Sequence, residues 1–359
     1  MSAHVHQKAE PGRPARIKDV AARAGVSLKT VTNVVHGRPN VGADTRARVQ
    51  AAIAELDYRP SLAGRQLQSG RSNMVTLAVP RIDEPFLGAL AHAMIAAATP
   101  RGLTVLIDET GGDAEHEALA ASGYPGHGID GVIFSPAAVH PKRFSALSRS
   151  TPMVLLGERL PDSTADHVAI DDVASARDVV AHLLSTGRRR IGFLGYQPTR
   201  PASVAGLRYR GYRQQMADAG CRVEDQWVIP GPRFSREEGE RRARQAIHEL
   251  ASMDALICAS DLLAIGVLRV LRQHRIRVPD DLAVTGWDNT VDGAYHSPSL
   301  TSIAPALSEL AELALDALIR RIEGDRGPGT SATVPHRLLV RESSAATGNP
   351  GQTGAGEAH

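Results

Sequence analysis

Residues 17–37 read IKDVAARAGVSLKTVTNVVHG, and this stretch decides how the amino-terminal part of the chain folds. Its first apolar residues follow the i, i+3, i+4, i+7 spacing of an amphipathic helix, namely Ile17, Val20, Ala21 and Ala24. Gly25 permits the backbone conformation that ends a helix in a tight turn, and Ser27 offers an N-cap for a second helix. The stretch therefore predicts two short helices joined by a glycine turn.

The second predicted helix carries apolar and polar residues on opposite sides. Its inward face holds Val31, Val34 and Val35, and its outer face holds Leu28, Lys29, Thr32 and Asn33. A third apolar stripe, in residues 44–56, completes a small three-helix core. A helix, a glycine turn and a second helix with a polar outer face are typical of a helix-turn-helix, whose second helix enters the major groove of DNA.

Side chains on the outer face can contact bases and phosphates. Lys29 can donate to guanine O6 and N7, Asn33 can pair with adenine N6 and N7, and Leu28 can pack on a thymine methyl. The hydroxyl residues suit phosphate contacts, which position a protein without reading sequence: Ser27, Thr30 and Thr32. A three-helix protein–protein module is the alternative interpretation of the same pattern.

Residues 61–71 link this head to the rest of the chain and have weak helical character. A helix this short is unstable alone in water, and Gly64 costs about 1 kcal/mol relative to Ala. We therefore expect a hinge that is disordered alone and helical only against DNA. Leu67 suits an apolar wedge in the minor groove and Arg65 a phosphate contact, whereas a plain linker is the alternative.

Charge is distributed unevenly along the 359-residue chain. Residues 1–72 contain 12 Lys and Arg against 5 Asp and Glu, a net charge of +7, and the remaining residues have a net charge of −5. A basic head on an acidic body is typical of a protein that binds nucleic acid at one end. A solvated basic surface without a partner is the alternative.

Beyond the head, short apolar runs alternate with amphipathic helical stretches. The predicted strands are 75–79, 104–107, 131–134, 153–156, 191–194, 255–259 and 282–287. The predicted helices are 86–98, 173–185, 205–219, 236–250, 261–274 and 306–322. This alternation predicts right-handed βαβ units and parallel sheets covered by helices. Roughly 270 residues are too many for one such layer, so we expect two similar lobes with a cleft between them.

Several functional classes are excluded. No apolar run approaches the roughly 18 residues of a membrane span, and the amino terminus lacks a signal-peptide core, so we expect a cytoplasmic protein without a membrane partner. The two cysteines are too few for a disulfide framework or a cysteine-rich zinc site. A G-x-G-x-x-G motif at Gly126, Gly128 and Gly131 precedes a strand and does not join one to a helix, so it does not predict a nucleotide site. We therefore predict no metal, no cofactor and no enzymatic activity.

These residues carry a family resemblance. In the head it rests on residues 17–37 and on Val41, Thr45, Arg46, Val49, Ala52, Leu56, Tyr58 and Pro60. In the body it includes Pro85-Phe86, Asp130-Gly131-Val132-Ile133, Arg208-Tyr209-Arg210-Gly211-Tyr212 and Gly286-Trp287-Asp288-Asn289. Over residues 16–343 the chain resembles the lactose-repressor (LacI/GalR) family. The resemblance implies a homodimeric transcription factor, usually a repressor acting on nucleoid DNA, that binds a pseudo-palindromic double-stranded operator. It also implies a body similar to periplasmic sugar-binding proteins, with a small-molecule effector, by default a sugar, between its lobes.

Pattern and resemblance together predict an α/β chain with a three-helix headpiece and a two-lobed body containing parallel sheets. The expected parts are a disordered basic arm (1–15), a helix-turn-helix domain (16–60), a hinge (61–71), an effector-binding and dimerisation domain (72–343) and a disordered tail (344–359). The tail lacks leucine heptads, which favours a dimer over a tetramer.

Three charged residues are candidates for the effector site. Asp261 and Asp288 follow predicted strands, and ligands of open α/β sheets bind outside the carboxyl ends of strands. Arg208 lies near the start of a helix that follows another strand. Carboxylates and guanidinium groups can bind adjacent hydroxyls or an anionic group of a ligand. Asp261 has an alternative role as a helix N-cap.

The resemblance adds residues at positions similar to ligand contacts of the family, namely Asp83, Phe86 and Phe234. Phe86 could instead belong to the core, and Trp287 is expected there. A sugar-binding protein of a transport system is the alternative function. It would explain the two lobes, but it requires export and no DNA-binding head.

Overall fold

The structure is a computed structural model that describes residues 15–35, 37–58, 71–160 and 163–345. The chain forms two compact units, Met1–Ser72 and Asn73–His359. Some predictions lie outside the described residues: those for the basic arm up to residue 14, for the hinge residues Arg65 and Leu67, and for the tail beyond residue 345.

The described part of the first unit is a bundle of short helices, α1 (Ile17–Ala24), α2 (Leu28–Val35) and α3 (Ala43–Glu55). Gly25 ends α1 with a φ of 64°, so the predicted glycine turn is present. Ser27 precedes α2 and accepts a hydrogen bond from the Thr30 N–H at 3.1 Å. The apolar faces meet in one core of Val20, Ala21, Ala24, Val31, Val34, Val49 and Ala52.

The second unit begins with one lobe of alternating strands and helices. Its elements are β1 (Met74–Val79), α4 (Pro85–Ala98), β2 (Thr104–Glu109), α5 (Ala114–Ala121), β3 (Gly131–Phe134), α6 (Pro141–Leu147), β4 (Met153–Leu156) and β5 (Asp166–Ile170). The buried strands β3 and β4 lie inside the sheet, between apolar clusters on its two faces. Helices on both faces therefore shield the sheet from water.

The chain then builds a second lobe of the same kind. Its elements are α7 (Asp172–Ser185), β6 (Ile191–Tyr196), α8 (Val204–Asp218), β7 (Val228–Pro230), α9 (Arg236–Gln245), α10 (Ile247–Leu250), β8 (Ala255–Cys258), α11 (Asp261–Gln273), β9 (Ala283–Trp287), α12 (Val291–Ala294) and β10 (Thr301–Pro305). The predicted single helix over 236–250 is wrong: it is two helices, because Ala246 leaves helical geometry with φ −105° and ψ 26°.

The last three elements are divided between the two lobes. They are α13 (Leu307–Ile322), β11 (Ser331–Val334) and β12 (His336–Leu339). Helix α13 packs on α4 and on the strands of the first lobe, where β11 pairs parallel with β5. Strand β12 pairs antiparallel with β10 in the second lobe. The chain therefore passes between the lobes three times, after β5, β10 and β11.

Each lobe holds a six-stranded sheet, in the order β11-β5-β4-β3-β1-β2 and β12-β10-β9-β8-β6-β7. All the pairs except β10 with β12 are parallel. The predicted fold class is confirmed, although the sequence patterns missed β5, β7, β10, β11 and β12. Within the described ranges, no helix is long and apolar enough to cross a membrane.

Candidate functional site

The outer face of α2 is one candidate site. The predicted DNA contacts lie along this face or at the start of the helix: Ser27, Leu28, Lys29, Thr30, Thr32 and Asn33. Leu28 is 51% exposed although it is a large apolar residue, and Lys29 beside it is also exposed. The hydroxyl groups of Ser27 and Thr30 lie 2.9 Å apart and are already engaged in the turn before α2. The face thus presents an apolar side chain and a cation on a fixed helix.

The second candidate site is a cavity of about 480 Å³ between the two lobes of the body. Its walls are the loops that follow the parallel strands of both sheets, together with the first turns of the helices after them. This is the edge at which open α/β sheets bind ligands. The volume lies within the range of about 300–1,000 Å³ that is usual for small-molecule sites.

Arg208 is the centre of a buried charged network at this cavity. Its Nε donates to Asp172 Oδ1 at 2.8 Å, and its Nη1 donates to the Ala259 carbonyl at 2.6 Å. Its Nη2 lies 3.8 Å from Asp288 Oδ1, and the guanidinium carbon lies 4.9 Å from the ring centroid of Trp287. The Trp287 ring is fully buried, as the sequence predicts. Arg208 is thereby held rigidly by its neighbours.

Asp288 lies at the carboxyl end of β9 in an unusual backbone conformation. Its φ is 96° and that of Asn289 is 50°, values that L-residues rarely adopt. Hydrogen bonds from the Asp288 N–H to the Ile303 carbonyl and from the Asn289 N–H to Ser302 Oγ, both 2.9 Å, hold this turn. The pKa of Asp288 is raised to about 6, mainly by burial; Arg208 opposes the rise and the charge of Asp172 contributes to it. Such local strain is typical of functional sites.

Asp261 does not line the cavity. Its carboxylate is fully buried and accepts hydrogen bonds from the Thr290 N–H at 2.7 Å, from Thr290 Oγ1 at 3.0 Å and from Ser302 Oγ at 2.7 Å. The N-cap of α11 is Ser260, not Asp261. Asp261 therefore holds the turn that presents Asp288, and we withdraw it from the set of proposed ligand contacts.

Asp83 also lies outside the cavity lining. Its side chain is 64% exposed and forms an ion pair with Arg81 at 2.6 Å, so it too is withdrawn. Phe86 and Phe234 line the cavity from the first and the second lobe, respectively. Each also packs against the core of its own lobe, so the core role weighed for Phe86 and the ligand role are compatible.

Six further charged residues line the cavity and were missed by the sequence analysis: Arg81, Glu84, Glu158, Asp172, Arg200 and Arg233. Glu84 follows β1, Glu158 follows β4 and Asp172 follows β5. The rule that located Asp288 at a strand end would have found Glu84 and Glu158, had it been applied to every predicted strand, whereas Asp172 follows β5, which the sequence patterns missed. Glu158 and Arg200 come from different lobes and form an ion pair at 2.5 Å.

Two family profiles match the chain. One, described as "Bacterial regulatory proteins, lacI family", covers residues 16–61, which contain the helix-turn-helix. The other, described as "Periplasmic binding protein-like domain", covers residues 180–344, which contain most of the second lobe. The first match opposes the transport alternative, which requires a protein without a DNA-binding head.

Known proteins match the chain over nearly its whole length. The HTH-type transcriptional regulator DegA of Bacillus subtilis is 31% identical over 333 residues, which are 91% of this chain and 97% of DegA. A structure of the transcriptional regulator CelR in complex with cellobiose is 30% identical, with a TM-score of 0.68 over 92% of this chain and 99% of the other. The lac repressor dimer bound to operator and the anti-inducer ONPF is 25% identical, with a TM-score of 0.82 over 93% and 100%.

These relatives are transcription regulators and not enzymes, in agreement with the sequence prediction. The matches extend from the helix-turn-helix through both lobes of the body. This chain therefore belongs to the LacI family of bacterial transcription regulators.

Proposed function

We propose that the chain is a repressor that binds a pseudo-palindromic operator as a homodimer and is controlled by a sugar bound between its lobes. The observation that carries the effector part is the cavity itself. It combines hydrogen-bonding carboxylates and a fixed guanidinium with an aromatic side chain from each lobe, Phe86 and Phe234. Polar groups that fix a ligand beside aromatic walls are the usual composition of a sugar site.

The relatives support the other parts of the proposal. The solved complex of CelR holds cellobiose, and the solved lac repressor is a dimer bound to operator. A two-fold protein binds a two-fold DNA site, because each headpiece presents one copy of α2 to one half-site. We assign DNA binding to residues 16–60, coupling to the hinge at 61–71 and dimerisation to 72–343, with action on the nucleoid in the cytoplasm.

Control by a ligand requires different affinities for two arrangements of the lobes. The cavity lining meets this requirement because it comes from both sides: Phe86 belongs to the first lobe and Asp172 to the first crossing, and Phe234 and Asp288 belong to the second lobe. A ligand that bridges these residues stabilises one angle between the lobes. A change in the angle between the lobes then changes the distance between the two hinges of the dimer.

Calorimetry and operator titration test this function. The probes are cellobiose and a set of neutral monosaccharides, and the operator is obtained by in vitro selection with the full chain. We expect at least one sugar to bind and to change operator affinity. Asp288→Asn and Arg208→Lys should weaken sugar binding by about 1–3 kcal/mol, because ligand hydroxyls lose a charged acceptor in the first variant and the fixed planar guanidinium donors in the second.

Operator affinity without sugar should remain close to that of the wild type in both variants, since neither residue lies in the headpiece. An unchanged sugar response in both variants would exclude the cavity as the effector site. Loss of DNA binding in both would mean that these residues maintain the fold.

A further inference from the structure

Glu84 is a cavity carboxylate without a compensating partner. It stands between β1 and α4 as the N-cap residue of α4, where its half-buried side chain lines the cavity. Within the described residues, no side chain or N–H forms a hydrogen bond or ion pair with this carboxylate. The nearby cation Arg81 is held by Asp83 through two hydrogen bonds, at 2.9 and 2.6 Å. Glu84 therefore faces the cavity with its acceptor atoms free.

A second carboxylate faces the same space from the other lobe. Asp288 accepts no hydrogen bond in the described part of the chain, and its ion pair with Arg208 is long, at 3.8 Å. Asp288 and Glu84 line the same cavity, and the charge of Asp288 contributes to the raised pKa of Glu84. Burial raises the pKa of Glu84 to about 7, and the charges of Asp288 and Asp83 add to the rise while Arg81 opposes it.

The buried part of the cavity lining contains more carboxylates than cations. Of the two inner cations, Arg208 is bonded to Asp172 and Arg200 to Glu158. The remaining lining cations, Arg81 and Arg233, are exposed at the rim. Glu84 and Asp288 are thus the carboxylates left over, one on each side of the cleft.

We propose that Glu84, acting with Asp288, determines the chemical class of the effector: a polyol that donates hydroxyl or protonated amine groups, to the exclusion of acidic and phosphorylated sugars. The inference rests on the proposed function. Ionised carboxylates are acceptors only, so they are satisfied by ligand donors and repel ligand anions. In a partly desolvated cleft this repulsion is weakly screened and acts against the wrong ligand. A donor-rich ligand that bridges both carboxylates also relieves their repulsion and favours the closed lobes.

The experiment measures binding to the full chain by calorimetry at pH 7.5 with sugars matched except for charge. The neutral probes are D-glucose, D-galactose and cellobiose, the amine probes are D-glucosamine and D-galactosamine, and the acidic probes are D-glucuronate, D-galacturonate and D-glucose 6-phosphate. We expect binding among the neutral or amine probes only. In Glu84→Gln, which keeps the shape and removes the charge, discrimination against the matched acid should fall by about tenfold or more. Glu115→Gln, an exposed carboxylate of the same lobe, is the control and should retain wild-type discrimination.

Proton release gives a second readout. Donors from a ligand favour the ionised carboxylate, so binding of a neutral sugar near pH 7 should release protons in the wild type and fewer in Glu84→Gln. Calorimetry in two buffers of different ionisation enthalpy measures this number.

Each outcome decides the matter. The role of Glu84 is overturned if an acidic probe binds the wild type as tightly as its neutral match. It is also overturned if Glu84→Gln keeps the wild-type discrimination, and the proposal of a sugar effector stands in both cases. Binding of none of the probes counts against the sugar effector itself, and this inference falls with it.

Discussion

At the scale of single residues, Asp288, which we propose as a ligand contact, adopts an energetically unfavourable arrangement. Its left-handed backbone and its carboxylate, which is only 13% exposed, are both unfavourable by themselves. Asp261 accepts hydrogen bonds from Thr290 and Ser302 and so holds the turn that contains Asp288. Arg208 provides the positive charge nearest to the Asp288 carboxylate. The network retains Asp288 in the position where a ligand hydroxyl would complete its hydrogen bonding.

The raised pKa of Asp288 predicts a pH-dependent stability. A carboxyl group whose folded-state pKa is about 6 stabilises the fold fully below about pH 4, and this contribution is lost as the pH rises through about 6. Asp172, Arg208, Asp261 and Glu84 are the charged groups that interact with it electrostatically. Asp288→Asn should therefore raise the free energy of unfolding at pH 8 by an amount on the order of 1–3 kcal/mol, and by less at pH 5.

Urea unfolding followed by tryptophan fluorescence measures this effect, since both tryptophans, Trp227 and Trp287, lie in the second lobe. Asp280→Asn, an exposed carboxylate of the same lobe, is the control. A variant that is no more stable than the wild type at pH 8 would contradict the prediction.

At the scale of elements, helix α2 owes its stability to contacts with neighbouring residues, because it is short. Eight residues are too few for a helix that is stable alone in water. The glycine turn before it, the Ser27 cap and the packing of Val31 and Val34 on α1 and α3 provide the missing stability. The outer face is thereby free of any packing role, and we propose that its residues contact DNA.

Substitutions on this face should change sequence preference as well as affinity. Lys29→Ala and Asn33→Ala should each cost about 1–3 kcal/mol at one base position of each half-site and relax the preference there. Affinity of the wild type should fall steeply with salt, because the basic head releases counterions from phosphates. Titration of a set of single-base operator variants measures both effects. Equal loss on every sequence would identify Lys29 and Asn33 as phosphate contacts only.

At the scale of the whole molecule, the cavity lies between two lobes that each have their own sheet and core. Three chain crossings connect the lobes. Glu158 and Arg200 also connect the lobes, through an ion pair that belongs to neither core. Glu158 is largely buried, and burial raises its pKa while Arg200 opposes the rise. Such a pair biases the angle between the lobes in the absence of a ligand.

A double-mutant cycle should detect this coupling between the lobes. Glu158→Gln, Arg200→Gln and the double variant should give an interaction energy of about 1 kcal/mol in the free energy of unfolding, since the pair is only partly exposed. The exposed pair Glu115 with Arg143, which lies within the first lobe, is the matched control and should give a value near zero. Equal coupling in the two cycles would show that the interlobe pair has no special role.

Much of the architecture follows from local sequence. The period of Ile17, Val20 and Ala24 and the glycine after them define the helix-turn-helix, because a short helix and its turn depend on neighbouring residues. Alternation of apolar runs with amphipathic helices likewise predicts the two-lobed α/β body. The strands that were missed have weak patterns: β5 begins with Asp166 and His167, and the buried Asp166 is satisfied by distant parts of the chain, since Arg321 pairs with it at 2.8 Å and Thr330 donates hydrogen bonds to it at 2.7 Å.

The site was decided by the tertiary structure. The sequence by itself determined that Asp261 and Asp288 both follow strands, and it assigned them the same role. The fold separates them, because Asp261 turns into the core towards Thr290 and Ser302, whereas Asp288 lines the same cleft as Glu84, which lies about 200 residues away in the chain. Local pattern specifies which elements form, but the distance between two side chains on different lobes is set by packing and by the crossings between the lobes, which no local pattern encodes.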